Sequence, residues 1–145
     1  MISGKAYNQN PVAIGGVGGS GTRVVAQILQ TLGFHLGTDL NRAKDNLWFT
    51  FFFKHLDILK ISDRLFLERY ITFVSATFGL KLTMTHIELI NYLASSSLLF
   101  NENWYRERSK SILSNKDFVK PIQDWGWKEP NTHIILERLI NLVQV

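Results

Sequence analysis

The chain has 145 residues, 46% of them hydrophobic and 19% charged, which is the balance of one soluble globular domain. It contains no cysteine, excluding a disulfide framework, a thiolate metal site and cysteine catalysis together. Its net charge of +4 is spread over both halves, so no basic arm marks a nucleic-acid binder, while an anionic small ligand is well suited.

The N-terminal stretch Met1 to Asn10 is polar and lacks the apolar segment of a signal peptide. Pro11-Val-Ala-Ile-Gly15 follows, a short apolar run bounded by glycines that reads as a buried strand. Five glycines then fall within Gly15 to Gly21. Beyond them, Val24, Val25, Ile28, Leu29 and Leu32 have the spacing of an amphipathic helix over Thr22 to Leu32, with Gly33 placed as its C-terminal cap. Strand, glycine loop and helix form the opening unit.

The middle of the chain reads as helical. Leu47 to Ile61 is aromatic-rich, with Lys54, Asp57 and Lys60 at three-residue spacing. Asp63 is placed to cap a helix running to Phe78, stopped by Gly79. Thr85-His-Ile-Glu88 has the capping-box pattern, and a polar helix is expected over Glu102 to Leu113. Asp124-Trp-Gly-Trp-Lys-Glu-Pro130 reads as extended, because Glu129 precedes proline. Asn131 is placed to cap a last helix carrying Ile134, Ile135, Leu136, Leu139, Ile140 and Val143. The longest apolar stretch, Leu47 to Phe53, is far too short to span a membrane, so a cytoplasmic protein is expected. His35, His55, His86 and His133 show no metal-ligand spacing, and no metal is expected.

Gly16-Val-Gly-Gly-Ser-Gly21 carries most of the functional information. A glycine turn between a buried strand and a helix lets backbone N–H groups converge on an anion, helped by the helix N-terminus. Thr22 adds a hydroxyl and Arg23 a planar cation suited to phosphate oxygens. Three readings compete. Gly16, Gly18 and Gly21 fit the dinucleotide fingerprint GxGxxG, but Phe34 to Thr38 is a poor second strand ahead of Asp39. Gly16 and Gly21 also fit the outer glycines of GxxxxGK[ST]; Thr22 and Arg23 then occupy the Lys and Ser/Thr positions, removing two parts of a nucleoside-triphosphate site.

The third reading fits best. Val12 to Val24 resembles the phosphosulfate-binding loop of the P-loop sulfotransferases, which use 3′-phosphoadenosine 5′-phosphosulfate (PAPS) as co-substrate and need no metal. Ser20, Gly21 and Thr22 match that loop directly, while Gly19 replaces a usual basic residue and Arg23 a usual Thr or Ser. Trp125-Gly-Trp-Lys-Glu-Pro-Asn-Thr-His133 resembles the strand-to-helix K-x-P segment of bacterial and tyrosylprotein-type relatives, with Lys128 at the position that faces the donor sulfate.

The resemblance implies an α/β fold, P-loop NTPase-like and three-layered, with a parallel sheet and a large helical insertion. One domain is expected: residues 1–40 as strand, loop and helix, 41–120 as the insertion, and 121–145 as strand and helix. It implies that Gly18, Gly19, Ser20, Gly21, Thr22 and Arg23 bind PAPS and that Lys128 stabilises the leaving phosphate. Asp39 is the first candidate for the base that deprotonates a small-molecule, glycan or protein acceptor; His35, Glu129 and His133 follow. His55 and His86 read as packed. Trp48 to Phe53 either lines a hydrophobic acceptor pocket or packs in the core. The apolar stretch Leu139 to Val145 ends without a cap, so the chain reads as the N-terminal portion of a longer, apparently truncated enzyme. The rival expectations are a kinase-like nucleotide binder and an inactive relic or helical interaction module.

Overall fold

The computed structural model describes residues 10–96, 99–115 and 124–143. The polar stretch before Asn10, the join at 116–123 and the last two residues of the apolar ending therefore lie outside the described residues. The protein is mixed α/β and mostly helical, with a two-stranded parallel sheet. It divides into two compact units, Met1–Asn46 with Val119–Val145, and Leu47–Phe118. Residues 41–46, expected in the helical insertion, thus belong with the sheet.

In the first unit, β1 (Val12–Ile14) leads through the glycine loop into α1 (Thr22–Thr31). β2 (Gly126–Lys128) lies parallel to β1, in the register Val12 to Gly126 and Ile14 to Lys128. The segment after α1 joins the far side of β2: His35 bridges Trp125 in parallel, donating to the Asp124 carbonyl and accepting from the Gly126 N–H. The order across the sheet is therefore β1, β2, His35. Ala26 and Leu29 bring α1 onto Val12 and Ile14, with Leu36 and Phe34 completing a small core. Trp127 is fully buried, its indole N–H donating to Thr132 Oγ1. After β2 the chain tightens into a 3-10 helix, Pro130–Ile135, before α6 (Leu136–Val143). The cap there is Glu129, whose carboxylate accepts the Asn131 N–H at 2.7 Å. Asn131, expected as the cap, is the donor. Pro130 takes the first helical position, where its missing N–H costs nothing, and this places the cap at Glu129, two residues before Asn131.

The second unit is helical: α2 (Leu47–Phe53), α3 (Asp63–Thr77), α4 (Met84–Ser96) and α5 (Glu102–Leu113). Every residue of α2 from Trp48 to Phe53 is buried. Phe73 of α3 meets the rings of Phe49, Phe52 and Phe53 at centroid separations of 5.5 to 6.2 Å. The aromatic block is thus core, stabilised by burial and by edge-to-face ring contacts. Its helix is shorter than the expected Leu47 to Ile61. After Phe53 the chain turns, the His55 N–H reaching Phe53 O and the His55 ring lying 2.6 Å from Phe51 O. Asp57 then pairs with the buried Arg69 of α3. The polar residues after Phe53 serve that turn and ion pair, not a helix face.

Two more caps sit earlier than expected, by one residue at α3 and by two at α4. Ser62, not Asp63, accepts the Leu65 N–H, and Asp63 takes the first-turn position where an acidic side chain faces the positive helix end. At α4, Thr83 Oγ1 accepts the His86 N–H while His86 Nδ1 accepts the Thr83 N–H. That is the reciprocal capping arrangement with histidine where glutamate is usual. α5 matches its expected bounds, capped by Asn101. Among the described residues, no helix is long and apolar enough to cross a membrane.

Candidate functional site

The carboxyl ends of two adjacent parallel strands define the candidate site. Ile14, last in β1, is in register with Lys128, last in β2. The glycine loop leaves from the first and the 3-10 helix from the second. In open parallel sheets, ligands bind outside the carboxyl ends of strands, where loops diverge.

The loop is tied down at its start and open at its tip. Gly16 donates its N–H to Pro130 O at 3.0 Å, joining the loop to the chain after β2. A β-carbon on Gly15 would meet Thr132 and His133, so the two segments approach at a distance only glycine allows comfortably. A tight turn follows, Ser20 N–H donating to Val17 O. Gly21 holds a left-handed conformation, φ 79°, as the residue that starts α1. It is the natural glycine position, since a β-carbon there costs roughly 1–2 kcal/mol. No side chain caps α1 and no acidic residue stands in its first turn. Its first N–H groups, at Thr22 and Arg23, therefore have no intrahelical acceptor. Gly18, Gly19 and Gly21 are exposed, and among the described residues nothing lies within 4 Å of where their β-carbons would be. Arg23 is exposed too. The result is an exposed glycine loop leading into an uncapped helix start that carries an exposed cation, features suited to an anion.

Lys128 is built differently. It is only 3% exposed, and its ammonium donates to the Asp45 carboxylate and to Ala43 O. Both acceptors come from a loop fixed largely by one asparagine. Asn41 Oδ1 accepts the N–H groups of Ala43 and Asp45, and Asn41 Nδ2 donates to Asp45 Oδ2. Lys44 takes a left-handed conformation, φ 67°, to close this turn. Asn46 clamps it to the sheet, donating its N–H to Lys128 O and its amide to Leu36 O. The buried charge is thus paired, as burial requires.

The expected site residues are partly assembled. Gly18, Gly19, Ser20, Gly21, Thr22 and Arg23 form one continuous loop and helix start, and Lys128 stands at the neighbouring strand end. Asp39 lies half-buried ahead of that turn, but the carboxylate bonded to Lys128 is that of Asp45. Glu129 is occupied as a helix cap, and His133 Nδ1 lies 2.9 Å from Pro130 O. His55 is buried, and burial lowers its pKa below the usual histidine value. Asn41, Asp45 and Asn46 were not singled out from sequence. The available signal was a cluster of Asx residues after the helix, the composition of a side-chain-bonded turn.

Among the described residues no three His, Asp or Glu side chains converge to hold a metal ion. Comparison with protein-family models, with characterised proteins and with solved structures finds no match to this chain.

Proposed function

We propose that this chain binds the phosphosulfate end of PAPS and belongs to a sulfotransferase that transfers the sulfuryl group to a hydroxyl or amine. The observation that carries this reading is the register of Ile14 with Lys128, which sets an uncapped glycine loop beside a buried lysine. The loop N–H groups and Arg23 hold the anion. As the bond from sulfur to the bridging oxygen breaks, Lys128 offers an N–H to the charge left on the phosphate. The acceptor oxygen attacks sulfur from the opposite side, and its proton passes to a carboxylate, Asp39 being the candidate from sequence.

One observation weighs against the dinucleotide alternative. That fold places the second strand beside the first, whereas here the segment after α1 joins β2 on its far side. The kinase-like alternative still lacks its lysine and its metal-binding hydroxyl in the loop. Calorimetry with 3′,5′-adenosine diphosphate, ATP with Mg²⁺, and NAD separates the readings. Binding of the first alone is expected. Binding of ATP with Mg²⁺ alone overturns the sulfotransferase reading in favour of a kinase-like protein, and binding of none favours an inactive relic or interaction module.

A further inference from the structure

Lys128 has a resident competitor. Its ammonium carries three N–H donors, and the Asp45 carboxylate and Ala43 O take two of them. An anion drawn to Lys128 therefore meets an ion pair of zero net charge, with one N–H left to offer. The Asp45 carboxylate is held in place, because Asn41 Nδ2 donates to its Oδ2 and Asn41 Oδ1 accepts the Asp45 backbone N–H. The ion pair is also sheltered, with side-chain exposures of 4% for Lys128 and 20% for Asp45, so solvent screens it weakly. On the adjacent strand, among the described residues, no ion pair holds Arg23, and no acidic residue stands in the first turn of α1. The two halves of the site thus differ in kind: the loop attracts any anion of suitable size, and Lys128 yields only to an anion strong enough to replace a carboxylate.

We propose that Asp45 is a specificity-determining residue, a gate on Lys128 that opens only for a ligand whose oxyanion extends beyond the one seated in the glycine loop. This rests on the PAPS reading and deepens it. A nucleotide ending in a single 5′-phosphate fills the loop and leaves the Lys128–Asp45 pair intact. A phosphosulfate places a second anionic group past the first, in reach of the strand end, and takes the ammonium from Asp45. The exchange conserves charge: Lys128 stays paired throughout, and the released Asp45 carboxylate keeps its bond from Asn41 Nδ2 and its remaining access to water.

The test compares PAPS with 3′,5′-adenosine diphosphate by calorimetry on the full chain, its Asp45→Asn and Lys128→Met variants, and the double variant. Asp45→Asn removes the competitor and is expected to tighten PAPS binding about tenfold, within the usual range of coupling between sites. Its effect on 3′,5′-adenosine diphosphate stays below about threefold on the same scale. In the Lys128→Met background the Asp45 substitution changes PAPS affinity by less than about twofold, since coupled residues act as a unit. Glu137→Gln, an equal loss of charge at an exposed position on α6, controls for a general field effect and leaves PAPS affinity unchanged.

Unaltered or weaker PAPS binding by Asp45→Asn overturns the gate, as does an equal gain in the Lys128→Met background or in Glu137→Gln. If Asp45→Asn fails to fold, Asn41→Ala loosens the same carboxylate from an exposed position and carries the same expectation with a smaller gain. Failure of every form to bind either ligand overturns the PAPS reading itself. Binding by the wild type with no gain on releasing Asp45 overturns the gate alone.

Discussion

The two units are fixed by different kinds of contact. The helical unit gathers phenylalanine rings into its core: Phe49, Phe51, Phe52, Phe66 and Phe73 are each no more than 1% exposed. In the sheet unit, α1 turns Ala26 and Leu29 inward yet leaves Val24, Val25, Ile28 and Leu32 between 48% and 69% exposed. What fixes the sheet unit near its candidate site is polar: Asn41 on Asp45, Asp45 on Lys128, Asn46 on Leu36 O, Glu129 on Asn131. Burial is non-directional and sums over area, whereas these bonds specify where individual atoms lie. A unit that positions an ammonium and a row of N–H groups relies on the second kind of interaction. The lesson is a division between stability held in aromatic packing and geometry held in hydrogen bonds.

The largest expected effect tests the packing side. Phe73→Ala empties the centre of the helical unit and should lower its unfolding free energy by about 3–5 kcal/mol, read from denaturant unfolding. A loss under about 1 kcal/mol would mean the rings collapse readily into the space, and that the core is less specific than its contacts imply.

The glycine loop tests the other side through two alanines. Gly21→Ala forces a β-carbon into a left-handed conformation and should cost roughly 1–2 kcal/mol, together with loss of anion binding as the start of α1 shifts. Gly18→Ala, three residues earlier, has an unobstructed position and does not share that conformation, so stability and binding should stay near wild type. Thermal melts and calorimetry on both variants check the contrast. Equal effects would show that the loop needs glycine for general looseness, not for one backbone angle.

Legibility in the sequence followed the same division. Local periodicity was sufficient for β1, for α1 and for α5, whose bounds Glu102–Leu113 agree with the pattern of its residues. Clustered glycines marked the loop between β1 and α1. Three features escaped. α2 ends at Phe53 although its apolar pattern runs on, because the turn after it is set by His55 and by the pairing of Asp57 with Arg69, twelve positions away. The caps at Ser62, Thr83 and Glu129 each precede the residue expected, since several neighbouring polar residues compete for one position and only backbone geometry chooses among them. The partner of Lys128 lies 83 positions away, and nothing local to Asp45 distinguishes it from Asp39. Proximity in space between distant polar residues has no periodic signature.

A smaller effect sharpens the reading of the caps. Thr83→Ala removes the hydroxyl that accepts the His86 N–H and should destabilise by about 1 kcal/mol. Thr85→Ala, the position a capping box read from sequence would favour, should cost less than half as much on that scale. Reversed magnitudes would return the start of α4 to the capping box.

The smallest effect concerns pH and belongs to the packed unit. His55 is buried, and its ring lies 2.6 Å from the carbonyl of Phe51. Burial lowers its pKa, so the fold favours the neutral ring, with Nε2 carrying the proton donated to that carbonyl. The unfolded chain then takes up a proton near the ordinary histidine value of about 6.5 while the folded chain resists until lower pH. Between those two values the unfolded state binds more protons, so stability falls as pH falls and is fully present above the unfolded value. One group sets a ceiling of about 1.4 kcal/mol per pH unit on that slope. His86 is shifted the same way by a weaker burial, so the slope of the wild type alone does not identify its source. His55→Gln keeps an N–H donor within the turn and removes the titration. Denaturant unfolding between pH 7.5 and about 5 should therefore show a flatter dependence for His55→Gln than for wild type, and an unchanged dependence would assign the slope to other groups.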